Sequence, residues 1–359
     1  MKQATLRAQI RTLCCLGLPA ETLMPRLLPK LRQLVPADSA GFFWVDSVGH
    51  MQNLYAERML PADKMKLYFA EHYDGREYPF QRAFLARAKK TETVSSGSAD
   101  QAFERSAYYN EILRELDAHH VLYGVVREAG SALGQVSLYR SRKLAAFGAQ
   151  DRAEINSILR YVGHAVAAPA GIHLVEADAA PRHDQAEEAI AIVDHDAHII
   201  HASDLARRLL VQAANGLFAA PSLGDAEGKA ENIVRRLVVD LDAAGDTPPV
   251  MTLDTRWGRL QLRAYHLADG RDARAPIAIR IARQEPLLLK LADGIQALEL
   301  PAQQQEIALH LARGHPNGQI AIEMGLSPNT VAYHIKQIFM RLSAHSRAEA
   351  VAQMLAAAR

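Results

Sequence analysis

The sequence predicts an α+β chain, two regions of mixed helices and strands followed by an all-α tail. Three observations predict it. Apolar residues recur at helical spacing in residues 2–35 and again from about residue 287 to the end. Between them, β-rich apolar segments at 39–56, 120–140, 189–201 and 250–282 alternate with helical ones. A stretch rich in Ala, Asp, Glu and Pro, with Pro169 and Pro181, separates the two β-rich regions.

In chain order, Leu6, Ile10, Leu13 and Leu16 form one helical stripe, stopped by Gly17-Leu18-Pro19. Leu23, Leu27, Leu28, Leu31 and Leu34 form the next, ending before Pro36. Ser39–Val45 is apolar and β-rich, and Met51–Ala56 reads as its partner strand after a turn at 46–50. Pro61 opens a helix carrying Met65, Leu67, Tyr68 and Phe69. The polar run Ser95–Ser98 reads as a loop, and Ser106–Asp117 as a helix with Tyr109, Ile112, Leu113 and Leu116 on one side. Strands at His120–Glu128 and Ala132–Arg140 follow, and a helix from Ala149 to about Ala167 closes the region. The second region starts with strands at Ala189–Asp194 and His198–His201 and a helix capped by Ser203. A helix near Ala230–Leu241 and strands around Val250–Asp254, Gly258–His266 and Pro276–Ala282 complete it. Leu287–Leu298 reads as a helical connector.

The 359 residues suggest two or three domains at roughly 100–200 residues each. Charge is nearly balanced, with 41 Lys and Arg against 40 Asp and Glu, so bulk electrostatics does not make the whole chain a polyanion binder. The two cysteines, Cys14 and Cys15, are adjacent and supply no disulfide framework. Reduced thiols packed in an apolar helix are the favoured reading over a redox sensor. The N-terminus is too broken by Arg and Gln for a signal peptide, and no apolar run approaches the roughly 20 residues that span a bilayer. A cytoplasmic protein that makes no membrane contact is expected.

The most informative stretch is Asn317–Ser343. Gln319–Met324 reads as a short helix, Gly325 as a corner, Ser327 as a cap and Pro328 as the first residue of a longer helix. In that helix Val331, Ile335, Ile338 and Leu342 share one face, while Asn329, Ala332, Tyr333 and Lys336 look the other way. A capped helix with a polar outer face after a tight turn suits the DNA major groove.

At these residues the tail resembles the helix-turn-helix domain of the LuxR-type transcription regulators. The resemblance is carried by Glu306-Ile307, Ala312-Arg313-Gly314, Asn317, Ile320-Ala321, Leu326-Ser327, Thr330-Val331, His334, Ile338, Leu342 and Ser346–Ala350. It implies a tetrahelical domain over 298–359, with its helix-turn-helix motif at 317–336. It also implies Ala332, Tyr333 and Lys336 facing bases, and Asn329 and Thr330 near phosphate. Asn317, Ser327 and Arg341 complete the expected DNA-binding set. The sequence departs from the family at Ala332, where Lys or Arg is common, at Gly318, a usual Lys, and at Gln303 and Gln305, usual basic residues. From Ile295 onward the bases are Arg313, Lys336, Arg341, Arg347 and Arg359, and the acids Glu299, Glu306, Glu323 and Glu349. A single copy is therefore expected to bind double-stranded DNA weakly, and a homodimer on a two-part promoter site tightly.

Tyr108–Leu113, Gly134–Arg140, Phe147 and Asp151 resemble a GAF-like domain, placed with its N-terminal helices at 1–170. After a linker at 171–186, the strand–turn–strand–helix run and three later strands at 187–285 resemble a PAS-like domain, and 286–297 is the connector. The GAF resemblance implies a cavity between the sheet and its covering helices, where apolar walls with polar tips suit a small organic ligand. Phe42, Trp44, Tyr68, Tyr109, Tyr123 and Tyr139 are the candidate lining, drawn from a larger aromatic set that includes Tyr55, Phe69, Tyr78 and Phe103. The alternative for each residue is core packing.

The run Asp194-His195-Asp196-Ala197-His198-Ile199-Ile200-His201 reads as a solvated turn, so no metal is assigned. No phosphate-binding Gly-rich loop, Gly-x-Ser-x-Gly elbow or phosphoacceptor pattern is found, and no cofactor is called. The combined expectation is a non-enzymatic, ligand-controlled DNA-binding transcription regulator, with RNA polymerase a partner by resemblance. A ligand-independent dimeric regulator is the alternative, and an enzyme fused to a DNA-binding tail a more distant one.

Overall fold

The structure is a computed structural model that describes residues 2–73, 80–90, 94–167, 187–214, 223–244, 247–267, 275–284 and 286–358. Tyr78 and the expected linker 171–186 lie outside the described residues. The elements begin with helices α1 (Lys2–Cys14) and α2 (Ala20–Leu34), strands β1 (Ser39–Val45) and β2 (Met51–Ala56), and helices α3 (Ala62–Leu67) and α4 (Phe80–Ala88). Strands β3 (Val94–Ser98), β4 (His120–Glu128) and β5 (Ser131–Arg140) and helix α5 (Ala149–Ala167) follow. Next come β6 (Glu187–Val193), β7 (Ile199–Ala202), α6 (Asp204–Ala213), α7 (Leu223–Ala243), β8 (Val250–Thr255), β9 (Gly258–His266) and β10 (Ile277–Gln284). The last five are α8 (Leu287–Ala297), α9 (Ala302–Ala312), α10 (Asn317–Met324), α11 (Pro328–Leu342) and α12 (Arg347–Ala357).

The fold class is the expected one: two antiparallel five-stranded sheets and a helical C-terminal region. The sheets run β2-β1-β5-β4-β3 and β7-β6-β10-β9-β8, so both place their first strand between the second and the last. Contacts divide the described chain into two compact units. One holds both sheets with α2 to α7, and the other holds α1 with α8 to α12.

In the first sheet β1 pairs Phe42 with Tyr55 of β2 and with Val136 of β5. Side chains alternate across the sheet. Phe42, Val136 and Leu138 point to the face that packs on α2 and α5, and all three are fully buried. Arg140 ties the end of β5 to the start of α5: Nη1 lies 3.1 Å and Nη2 3.3 Å from the Asp151 carboxylate oxygens, Nε donates to Pro36 O at 2.7 Å, and the guanidinium sits 4.0 Å over Phe147.

Two local expectations change. Ser95–Ser98 is not a loop but lies in β3, paired with β4 from Val94↔Gly124 to Ser98↔His120. An edge strand needs only backbone partners on one side, so a run of serines can form it. The helix expected over 106–117 starts at Ser106, whose Oγ accepts from Tyr109 N at 3.1 Å, but widens at Tyr109–Leu113 into a π-turn and ends at Asp117 with φ 52°.

The second sheet shows period-two alternation in β9, with Leu260, Leu262 and Ala264 buried against Ile277, Ile279 and Ile281 of β10 and Leu209, Leu210, Val234 and Leu237 of α6 and α7. Trp257 lies in the β8–β9 turn rather than in the strand. It is fully buried, 6.3 Å from the Trp44 ring and 6.1 Å from the Tyr55 ring. The same turn accepts a hydrogen bond at Arg256 O from Thr22 Oγ1 at 2.9 Å, and Arg256 pairs with Glu21 at 3.3 Å. The β8–β9 hairpin tip thus fastens the second sheet to α2 and the first sheet, and Arg208 of α6 adds a contact 5.5 Å over the Tyr55 ring.

In the helical unit α8 packs on α12 and α9, and α1 packs on α8. A Cβ on Gly294 would stand 1.8 Å from Met354 O, so this close helix crossing admits only glycine. Arg11 pairs with Glu306, and Arg313 Nη2 donates to Leu16 O at 2.8 Å.

Candidate nucleic-acid interface and ligand cavity

The polar end of α10 and the start of α11 are built from short-range chemistry. Gly325 closes α10 in the left-handed region, φ 64°, and Leu326 N donates back to Ala321 O at 2.9 Å, satisfying a terminal carbonyl. Ser327 Oγ then accepts from Thr330 N at 3.1 Å and Pro328 takes the first helical position. Val331 and Ile338 are fully buried, and Ile335 and Leu342 nearly so. They fix α11 to α9, α10 and α12 and turn its other face out.

On that open face Asn329, Ala332, Tyr333 and Lys336 are exposed, Tyr333 by 60 %. Ser327 is exposed at the helix start, and Thr330, half-buried, meets the Ser327 hydroxyl at 2.8 Å. The remaining two expected residues lie apart. Asn317 opens α10, where its Oδ1 accepts from Arg347 Nη2 at 3.1 Å. Arg341 is exposed near the end of α11 and reaches Glu299 O at 3.5 Å. The exposed set forms one stripe beginning at a helix N-terminus, where backbone N–H groups favour phosphate.

The apolar residues of α12 are partly committed inside the chain. Met354 is fully buried, while Val351 and Leu355 are half-buried.

The other candidate site is a cavity of about 80 Å³ in the first sheet domain. It lies on the sheet face opposite α2 and α5. Phe43, Leu54, Ala56, Gln135, Ser137, Tyr139 and Tyr123 supply its floor, and Met65, Tyr68, Phe80, Tyr108 and Ile112 its roof. Of the six aromatic candidates, Tyr68, Tyr123 and Tyr139 line it. Phe42 and Trp44, one strand position away from Phe43, sit on the opposite face, with rings 4.6 Å apart. Tyr109 meets Phe103 and His119 instead. Sequence reasoning missed the polar tip: Arg87 Nε donates to Gln135 Oε1 at 2.8 Å, Gln135 Nε2 donates to Ser137 Oγ at 3.0 Å, and Arg87 stacks 4.2 Å over Tyr123. Gln135 and Ser137 are buried inside an apolar wall. Their alternation with Tyr139 along β5 was the available signal.

The His-rich turn is organised around Asp194, whose Oδ1 accepts from Asp196 N at 3.0 Å and His198 N at 2.8 Å. These bonds hold its carboxyl below the usual range, the His198 backbone N–H being the main cause.

Residues 299–354 match the family model of bacterial regulatory proteins, luxR family. A relative described as the probable transcriptional regulatory protein SgaR of Hyphomicrobium methylovorum is 45 % identical over 53 residues, 15 % of this chain and 25 % of that protein. The chain thus spans about a quarter of the length of that relative. Among solved structures, a Vibrio cholera VqmA–ligand–DNA complex is 14 % identical over 48 % of this chain and 83 % of that one, with a TM-score of 0.25. A phage VqmA–DPO complex, also 14 % identical, covers 47 % and 83 % with a TM-score of 0.22. The bacteriophytochrome RpBphP3 of R. palustris, 9 % identical, covers 78 % and 62 % with a TM-score of 0.30. Likenesses this slight carry no functional argument. The C-terminal segment is a LuxR-type helix-turn-helix domain.

Proposed function

We propose that this chain, with its LuxR-type helix-turn-helix tail, is a sequence-specific DNA-binding transcription regulator whose DNA binding is controlled by a small organic ligand in the first sheet domain. The exposed stripe on a capped, tightly seated α11 is the observation that carries the DNA reading. Tyr333 offers a hydroxyl or packs on a thymine methyl, Lys336 reaches guanine or phosphate, and the α11 N-terminus with Ser327, Asn329 and Thr330 receives a phosphate. Asn317 and Arg341 flank this contact, and Ala332 faces the groove without charge. With few cations available, tight occupancy calls for two copies on a two-part site. RNA polymerase is the partner that an activator of this type would recruit. No described helix is long and apolar enough to cross a membrane.

The cavity supports the ligand half of the proposal. Its apolar walls and one polar tip at Arg87, Gln135 and Ser137 suit a compact molecule with a single hydrogen-bonding end. Such a ligand acts on DNA binding only through a difference in affinity between two arrangements of the chain.

Selection of bound fragments from a random duplex library with the full chain at low salt tests the DNA half. An enriched two-part motif, lost on Lys336→Ala with Tyr333→Ala, is expected, and an unenriched library overturns it. Thermal shift against small metabolites tests the other half: a hit that raises the melting point of the wild type and fails with Gln135→Leu is expected. Hits insensitive to that change count against this cavity.

A further inference from the structure

Away from the α11 stripe and the sheet cavity, the chemistry of the helical unit converges at one place. His310 stands in the last turn of α9, His315 in the turn that follows, and Glu323 near the end of α10. His310 Nδ1 is 2.9 Å and His315 Nδ1 is 3.2 Å from Glu323 Oε2, and the two Nδ1 atoms are 3.2 Å apart.

Hydrogen bonds satisfy this triangle poorly. If both nitrogens carry hydrogen toward the carboxylate, two N–H groups face each other across the third side. If one does not, its lone pair faces the carboxylate oxygen. A cation at the centre satisfies all three sides at once. Ligand atoms about 2.0–2.1 Å from a tetrahedral zinc ion stand roughly 3.3 Å from one another. The observed triangle is within a few tenths of an ångström of one face of such a tetrahedron.

The surroundings support the donor set. Gln319 Nε2 donates to Glu323 Oε1 at 2.8 Å, which orients the carboxylate and leaves Oε2 on the histidine side. Arg347 Nη1 holds His315 O at 2.6 Å and so fixes the turn that carries this ring. Both histidines are half-buried and Glu323 is exposed, so a fourth position opens to water. The other convergent group, Asp194 with Asp196 and His198, differs: its central carboxylate already accepts the backbone bonds of its own turn.

We propose that His310, His315 and Glu323 form a binding site for a divalent transition metal ion, with zinc the best match to two imidazole nitrogens, one carboxylate oxygen and an open fourth position. A bound ion would tie the end of α9 to α10, the first helix of the helix-turn-helix. The proposal stands on these three side chains and not on the ligand cavity or on the choice of DNA sequence.

The test uses the full chain, free of any affinity tag and stripped with a chelator. It is titrated with zinc chloride in competition with a chromophoric zinc indicator. One equivalent is expected to be bound by the wild type, with its affinity lowered at least about tenfold in both His315→Ala and Glu323→Gln and unchanged in Asp194→Asn. Glu323 is a surface residue, so Glu323→Gln keeps the fold, which circular dichroism verifies. Zinc should also raise the melting temperature of the wild type but not of Glu323→Gln. No competition with the indicator overturns the site. So does a bound equivalent that survives His315→Ala and Glu323→Gln, or one that disappears with Asp194→Asn.

Discussion

Cys14 and Cys15 are neighbours in sequence with opposite surroundings. Cys14 is buried, and burial pushes its thiol well above the usual range, while Cys15 is exposed. Partial burial also raises the Cys15 thiol, against the lowering effect of Arg11. A thiol with raised pKa holds less thiolate at neutral pH and reacts slowly. Titration of the native chain with Ellman's reagent should therefore release one slow equivalent, and the second only in denaturant. Two fast equivalents would contradict this environment. Arg140 gathers a polar network at the end of β5: its guanidinium meets Asp151, Pro36 O and Ala145 O beneath the Phe147 ring. Arg140→Gln would remove the Asp151 carboxylate's ion-pair partner, leaving it the Gly148 N–H at 2.9 Å and, at 23 % exposure, some water. A loss of about 2 kcal/mol in chemical unfolding is expected. No loss would mean that α5 is anchored by its apolar face alone.

The β8–β9 hairpin joins the two sheets through a fully buried Trp257 set against Trp44 and Tyr55. Trp257→Ala should cost about 3–5 kcal/mol, with Trp257→Phe costing clearly less because a ring still fills the site. Urea unfolding checks both, and equal losses from the two would argue that the indole itself is dispensable. The strand carrying this tip was visible in the sequence, because Leu260, Leu262 and Ala264 alternate with polar residues. Its docking partner was not, because period two assigns a side chain to a face without saying what covers that face. The same limit explains the cavity. Phe42 and Trp44 were grouped with Tyr68, Tyr123 and Tyr139 by residue type, yet they lie on the helix-covered side of β1. β3 escaped notice for another reason: Ser95, Ser96 and Ser98 have no apolar face to declare, and the strand is held by backbone bonds to β4. The helix-turn-helix was the most legible part, since Gly325, Ser327 and Pro328 each do one local job that their residue type dictates. His310, His315 and Glu323 escaped because they meet only once α9 folds back on α10.

Across the whole chain 41 basic side chains face 40 acidic ones, and the helical tail repeats that balance, so its electrostatic grip depends on where its few cations are used. Most are used inside the chain. Arg313 donates to Leu16 O, Arg347 to His315 O and Asn317 Oδ1, and Arg341 reaches Glu299 O. Lys336 stands exposed on the α11 stripe beside Ala332, which adds surface but no charge. Phosphate neutralisation releases counterions and supplies much of DNA affinity, so each missing cation weakens binding and flattens its salt dependence. If α11 enters the groove as proposed, Ala332→Lys should place a second ammonium at the nucleic acid in each copy. The slope of log affinity against log salt should then steepen by about 0.9 per added phosphate contact, roughly doubled in a dimer. Affinity should rise most at low salt, where the added charge is least screened. Fluorescence anisotropy with labelled duplex across a salt series measures both quantities. Unchanged or weaker binding of Ala332→Lys at low salt would place the nucleic acid elsewhere than on the Ala332–Tyr333–Lys336 face.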